Sequence, residues 1–421
     1  ITNGLPLGLA FGMAMNNQAL DNYGKLTEYE KEKLIARSKD VKTKEEMQNI
    51  YAQRKIKLSD YLQKENLGCC VFIDNEEHRD PALNYFSGHS SDAILLIFSD
   101  GYSILIPWDE NLAKQNATFD KLIPFTRYKC KDIEATKAAL NLGGSHKCSD
   151  KVELPTALTY PEYLRFVDSL NMYQCRCTEH GAHEYVKELR MIKDEYEIEC
   201  TKEAARIGDL IIDKIEEGIK NNSIQTEMDV ALLIERECRI HGCQGTGFDT
   251  LAAGPSRSFA IHAFPGYTSA KWPDDGLSIL DFGVVYNGYT SDTTVTVAKG
   301  ELSEEQEKQL ELVQTAYDEC LKLYTKEHTI VEAAKKADSV FAKAKMKMPH
   351  SLGHAIGLEI HEAPRVSTKT DNSLKFQPGM ILTLEPGLYD AKNGGCRLEN
   401  DILITEDGNQ VISNSRIIRI K

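Results

Sequence analysis

The sequence predicts two folded parts, an α/β unit over residues 47–182 and a larger α+β domain over 183–421. Three observations carry that expectation. In the first part, two apolar runs flank a tight turn and lie among helical segments. In the second, capped amphipathic helices are segregated from short alternating runs that read as antiparallel hairpins. The 421 residues are also enough for two or three domains with full-sized cores.

Residues 1–46 read as an extension. The apolar start "ITNGLPLGLAFGMAMNN" gives way to a polar stretch rich in Lys and Glu. No Lys or Arg precedes the apolar run, which is also too short to span a bilayer. The first residue is Ile rather than Met, which leaves an upstream targeting segment open. From residue 47, a helix is expected through Arg54 to Leu62. The hairpin "AILLIF" (93–98), "SDG", "YSILIP" (102–107) follows, with another helix after Pro161, and the unit ends near "CTEHGAHEY".

In the second part, Asp194 precedes an amphipathic stretch bearing Ile198, Ile207, Leu210 and Ile211. Thr226 with Asp229, Ser303 with Gln306, and Thr329 with Glu332 have capping-box spacing. These helical stripes are read as core. Strand-rich pieces are expected at 277–298, 356–362, 379–389 and 397–404.

Composition narrows the class. The chain is 41% apolar and 27% charged, as soluble globular proteins are, and its net charge of −14 includes no dense basic block. Nucleic-acid and anionic-membrane surfaces reward clustered Lys and Arg, so neither partner is expected. Eleven cysteines, scattered apart from Cys69-Cys70 and Cys175-Arg176-Cys177 and with no pair separated by two residues, suit reduced thiols in a cytoplasmic chain.

The stretch "LSILDFGVVYNGYTSDTTVTV" (277–297) is the most informative. Asn287-Gly288 is the preferred pair for a two-residue type I′ loop. Facing residues then have numbers summing to 575, which sets Asp281 opposite Thr294 and Gly283 opposite Asp292. Period-two alternation places Asp281, Gly283, Asp292 and Thr294 on one face, with Leu280, Phe282, Val284, Val295 and Val297 on the other. The two carboxylates become diagonal neighbours, roughly 7–8 Å apart at the backbone. Two like charges held together raise each other's pKa unless a cation lies between them, so a metal explains the arrangement better than two solvated aspartates.

Two further acids lie in strand-like surroundings: Glu385 before Pro386-Gly387, and Glu399 near Arg397 in "CRLENDILIT". "MPHSLGHAIGLEIHEAP" (348–364) adds His350, His354 and His361. Helical spacing would align all three, but Gly353, Gly357 and the bounding prolines argue against a helix. The alternation of Ile356, Leu358 and Ile360 argues for a short strand, and a strand would set His354 and His361 on opposite faces unless the chain bends at Gly357.

In order, these segments resemble the metallopeptidases of the pita-bread fold, the M24 group of methionine aminopeptidase, aminopeptidase P and prolidase. The likeness is strong over 183–421. The preceding unit, with "LNYFSGHSSDAILLIFSDG", is similar to the amino-terminal domain of the creatinase, prolidase and aminopeptidase P branch. The resemblance implies two divalent metals on Asp281, Asp292, His354, Glu385 and Glu399, with Asp292 and Glu399 bridging. Mn²⁺ is preferred for an oxygen-rich set with one imidazole, and Zn²⁺, Co²⁺ and Fe²⁺ also fit. It further implies that His361 hydrogen-bonds the scissile carbonyl and that His350 and His262 face substrate. Glu385 would shuttle a proton, and Arg397 would orient the carboxylates beside the bound peptide. Ala355, Val295 and Asn400 depart from the usual motifs without removing a ligand. Thirteen residues separate Glu385 from Glu399, a short hairpin that looks like the compact Xaa-Pro dipeptidases. Hydrolysis of dipeptides with proline second is therefore expected, ahead of Xaa-Pro aminopeptidase action on longer peptides. A non-catalytic binding protein on the same fold is the reading from another class. Relatives of this fold are often dimers, so a homodimer is expected.

Overall fold

The computed structural model describes residues 23–26, 31 and 44–420, so most of the expected 1–46 extension lies outside the described residues. The chain divides into two compact units, Ile1–Thr178 and Glu179–Lys421.

The first unit is built on a six-stranded sheet. Its order is Lys121–Leu122, Ser103–Pro107, Ala93–Phe98, Cys69–Asp74, Lys151–Glu153, Gln174–Arg176. The expected hairpin is present, with Ile97 facing Ser103 across the turn. The three longest strands are buried at every position, because their apolar runs do not alternate and both faces must be covered. Helices Lys44–Lys64 and Asp132–Leu142 pack on the Ala93–Phe98 strand. Helix Tyr160–Ser169 starts at a Thr159–Glu162 capping box with Pro161 in its first turn.

In the second unit, helices Glu195–Lys220, Glu227–Ile240, Glu304–Leu321 and Ile330–Lys343 begin at Asp194, Thr226, Ser303 and Thr329. Each cap side chain accepts the amide three residues on, and that residue's side chain returns the bond. A cap of this kind contributes about 1 kcal/mol. One sheet runs Ile417–Ile420, Thr293–Lys299, Gly276–Phe282, Leu251–Ala253. Another runs Glu362–Val366, Gly353–Ala355, Ile381–Leu384, Asn400–Thr405, Gly408–Val411. A β-bridge, Thr294 to Glu399, connects the first sheet to the start of the inner strand Asn400–Thr405 of the second.

The apolar face of the central hairpin packs as its alternation requires. Leu280, Phe282, Val284, Val295 and Val297 join Ile207, Ile211 and Ile215 of the first long helix in one core. A side chain of this kind contributes roughly 1.5–3 kcal/mol when fully buried. A second core joins Val313 and Phe341 to Leu382, Leu384 and Ile402.

One expected strand is absent. Residues 356–361 are an irregular bend between the strands Gly353–Ala355 and Glu362–Val366. The Gly357 amide donates to the Glu359 carbonyl, and Glu362 accepts the Glu359 amide. Those local bonds replace a ladder, and the alternation of Ile356, Leu358 and Ile360 was incidental.

Candidate active site

The hairpin that carries the two aspartates keeps its expected register on both sides of a break in the ladder at Gly283 and Asp292. Tyr286 faces Tyr289, Phe282 faces Thr293, and Asp281 faces Thr294. At the tip, Asn287 and Gly288 take φ of 49° and 88°, the left-handed pair that a type I′ turn demands. Gly283 is needed for close approach: a Cβ there would lie 1.9 Å from the Ser291 carbonyl oxygen. Asp281 and Asp292 are both buried, so the exposed-face alternative does not hold.

His354 enters from the neighbouring sheet. Its amide donates to Thr383 Oγ1, and its Nδ1 lies 3.2 Å from the Ala355 carbonyl oxygen. With the ring proton on Nδ1, the Nε2 lone pair faces Asp292 Oδ2 at 3.5 Å and Glu385 Oε1 at 3.6 Å. Burial holds this imidazole down at about 4, so it is neutral at physiological pH. A lone pair facing two carboxylates is unfavourable unless a cation sits among them.

Glu385 leaves the end of strand Ile381–Leu384, its amide bonded to the Leu352 carbonyl. Burial pushes its carboxyl up to about 7 against the pull of Arg397. Glu399 accepts the Thr294 hydroxyl at 2.6 Å, across the bridge that joins the two sheets. Burial, then repulsion from Glu385 and Asp281, raises Glu399 far above the carboxylate range. Asp292 is raised likewise, by burial and then by Glu399, Asp281, Asp401 and Glu385.

Arg397 is the cation this cluster already holds. It is 2% exposed and donates Nη2 to Asp281 Oδ2 at 2.6 Å and Nε to Thr294 Oγ1 at 2.9 Å. Nη1 reaches Tyr389 Oη at 2.7 Å and the Ile261 carbonyl at 3.2 Å. Four of its five donors are thus engaged by the protein, which suits orienting the carboxylates.

All nine residues singled out in the sequence line one cavity of about 320 Å³: His262, Asp281, Asp292, His350, His354, His361, Glu385, Arg397 and Glu399. Ligand atoms of Asp292, His354 and Glu399 lie within 4.8 Å of one another. Asp281 Oδ1 is buried without a hydrogen-bond partner. An orphaned carboxylate oxygen, repelling neighbours and an inward-facing imidazole lone pair together fit a divalent cation.

Three contributors went unnoticed in the sequence. Tyr389 Oη links Arg397 to His350 Nε2 at 3.0 Å, and the break at Glu385-Pro386, after which Gly387–Asp390 starts a separate strand, hides that placement. Arg365 lines the cavity as the cross-strand partner of His354. Asp401 accepts the Asp292 amide at 3.1 Å, and its position two residues after Glu399 was a signal that alternation offered.

Comparison with known proteins places this geometry. A model of metallopeptidase family M24 matches residues 199–406. The Xaa-Pro dipeptidase of Pyrococcus furiosus is 32% identical over 340 residues, covering 77% of this chain and 88% of the relative. The chain belongs to metallopeptidase family M24. Among solved structures, the prolidase from Pyrococcus horikoshii OT3 matches with a TM-score of 0.74 at 25% identity, over 87% of this chain and 99% of that one. The X-Pro aminopeptidase from Thermotoga maritima MSB8 matches with a TM-score of 0.75 at 27% identity, over 87% and 99%. The fold is the family's pita-bread domain preceded by a creatinase-type amino-terminal domain, and the chain is a metal-dependent peptidase.

Proposed function

We propose that this peptidase is a Xaa-Pro dipeptidase that holds two divalent metals, Mn²⁺ by preference, on Asp281, Asp292, His354, Glu385 and Glu399. The observation that carries the reading is the convergence of those five side chains on one cavity with an orphaned carboxylate oxygen. Four carboxylates balance two divalent ions, and Arg397 is engaged by Asp281 in the same cluster. Bound there, the metals would supply a nucleophile from water at neutral pH and polarise the scissile carbonyl.

The remaining steps fall to the chain's own residues. Glu385, 17% exposed at its side chain, is the cluster's most accessible carboxylate and takes the role of proton shuttle to the departing proline nitrogen. His361 supplies a hydrogen bond to the carbonyl oxygen as it gains charge, and His262 faces substrate near the leaving group. His350, fixed by the Ser351 carbonyl at 2.8 Å and by Tyr389, faces substrate from the same wall. Arg397 acts as a positioning residue, holding Asp281 and Thr294.

The short link between Glu385 and Glu399 favours dipeptides. The likeness to the Thermotoga maritima enzyme supports the second reading, an Xaa-Pro aminopeptidase. Metal analysis joined to assays on Ala-Pro and Ala-Pro-Ala separates the cases. A dipeptidase carries close to two metals per chain and cleaves Ala-Pro far faster. Preference for the tripeptide installs the aminopeptidase reading, and metal-free protein without turnover on either peptide rejects both. A homodimer in the cytoplasm belongs to the same proposal, and sedimentation at enzyme concentration tests the former. Among the described residues, no helix is long and apolar enough to cross a membrane.

A further inference from the structure

The segment from Gly254 to Thr268 has no helix or strand of its own, yet it supplies Ile261, His262, Ala263, Phe264 and Gly266 to the cavity wall. A stretch this irregular needs something other than a ladder to hold it. Phe264 makes the requirement sharper: it is 97% exposed at the cavity rim, so its own packing does not anchor it.

The anchor lies beneath. Glu227, the first residue of helix Glu227–Ile240, has a fully buried side chain. Its Oε1 accepts the Gly254 amide at 2.9 Å, where the segment begins. Its Oε2 accepts the Thr268 amide at 2.7 Å and the Thr268 hydroxyl at 2.6 Å, where the segment ends. Oε2 also takes Arg257 Nη1 at 3.0 Å, and Arg257 Nη2 donates to the Pro265 carbonyl, one residue past Phe264. One carboxylate therefore grips both ends of the segment directly and its apex through a guanidinium. Arg397 holds the inner side through the Ile261 carbonyl.

We propose that Glu227 is a positioning residue of the peptidase, setting His262 and Phe264 at the cavity rim by clamping the Gly254–Thr268 segment. The catalytic part of this inference rests on the Xaa-Pro reading above; the clamping part does not. A buried carboxylate is costly without full partners, and an apolar side chain of like volume would serve packing alone. What the carboxylate adds is a fixed direction for four donors, and small displacements of substrate-facing groups cost rate steeply.

The test is a double-mutant cycle on the metal-loaded enzyme with hydrogen exchange alongside. Glu227→Gln keeps the shape but sets an amide donor against one of the four donors. We expect kcat/KM on Ala-Pro to fall about 10- to 100-fold, with metal content unchanged. In a His262→Ala background the same change should cost several-fold less, because the part of its effect that passes through His262 is already gone. Amides of 254–268 should exchange at least about tenfold faster, while those of 276–282 and 293–299 keep their protection. Thr268→Val, which removes one donor, should move every readout in the same direction by less, and it stands in if Glu227→Gln fails to fold. A full-sized loss that persists without His262, or unaltered exchange over 254–268, overturns the proposal. Should the wild-type enzyme leave Xaa-Pro dipeptides intact, the substrate reading fails while the exchange data still decide the clamp.

Discussion

The imidazoles of His354 and His361 lie 4.4 Å apart, centroid to centroid, with their planes at 65°. Seven residues of regular strand would have turned them to opposite faces. The register shifts after His354, and the chain bends through Gly357, which folds His361 back over the cavity. A Cβ on Gly357 would meet Glu362 Oε1 at 2.6 Å, and that carboxylate is pinned from behind. Gly357→Ala should therefore swing His361 away and lower kcat/KM by about 10- to 100-fold. Steady-state kinetics beside metal analysis checks this, and wild-type kinetics in the variant would contradict the bend's role.

Glu362 is that pinned carboxylate. Lys193 Nζ lies 3.0 Å from it, Arg190 bonds its other oxygen, and Arg190 also reaches Glu359 at 2.8 Å. Burial alone would raise the Glu362 carboxyl, but the charges of Lys193 and Arg190 outweigh it and hold it down at about 2. A carboxyl lowered on folding stabilises at pH above its unfolded value of 4.5 and loses that contribution as pH falls towards 2. The full contribution is on the order of 3 kcal/mol. Glu362→Gln should cost about 3–5 kcal/mol at pH 7, because two cations lose their buried partner. Urea unfolding at pH 7 and pH 3 should show the gap to wild type narrowing by roughly 2 kcal/mol at the lower pH. A gap independent of pH would show that the ion pairs do not set it.

Metal removal should invert the ranking of wild type and Asp292→Asn. Stripped by chelator, the wild-type chain buries Asp292 beside Glu399, Asp281, Asp401 and Glu385, so the neutral variant should be the more stable by about 1–4 kcal/mol. With Mn²⁺ at a hundredfold excess over the Kd of each site, wild type gains about 2.7 kcal/mol per site, about 5.4 for two, which exceeds the variant's lead, and the variant gains much less. Calorimetric melts in both conditions decide it. A variant that is less stable in chelator as well as in metal would mean Asp292 is not repelled there.

Arg397→Lys preserves the charge but not the fork. A lysine cannot serve Asp281, Thr294, Tyr389 and the Ile261 carbonyl together. We expect kcat to fall by at least about tenfold, since Asp281 turns and His350 loses the support it has through Tyr389. An equal loss confined to KM would instead put Arg397 in contact with substrate.

How far the sequence carried these conclusions depended on how local the determining physics was. Asn287-Gly288 fixes a turn by its own backbone preference, so every pairing between Asp281 and Thr294 followed from two residues. The caps at Asp194, Thr226, Ser303 and Thr329 were equally readable, because each partner is three residues away. The bend at 356–361 was not, since Arg190 and Lys193 that hold it lie about 170 positions upstream in sequence. The same holds for Glu227, whose partners span 254–268, and for Tyr389, which lies beyond a strand break in a separate two-stranded sheet. Apolar alternation near Ile356 then suggested a strand that distant charges prevent.

The placement of Arg190 and Lys193 bears on where this gene can be cut. The family-matched region begins at 199, after both cations, while the imidazole they support belongs to residue 361. A recombinant fragment trimmed to 199–406 would keep every acid and histidine of the cavity yet strand a buried anion next to His361. It would also drop the Ile417–Ile420 strand that pairs with Thr296–Lys299. Expression boundaries drawn from motif matching alone would thus yield a chain with all its chemistry but without the cations behind His361 and one strand of its central sheet.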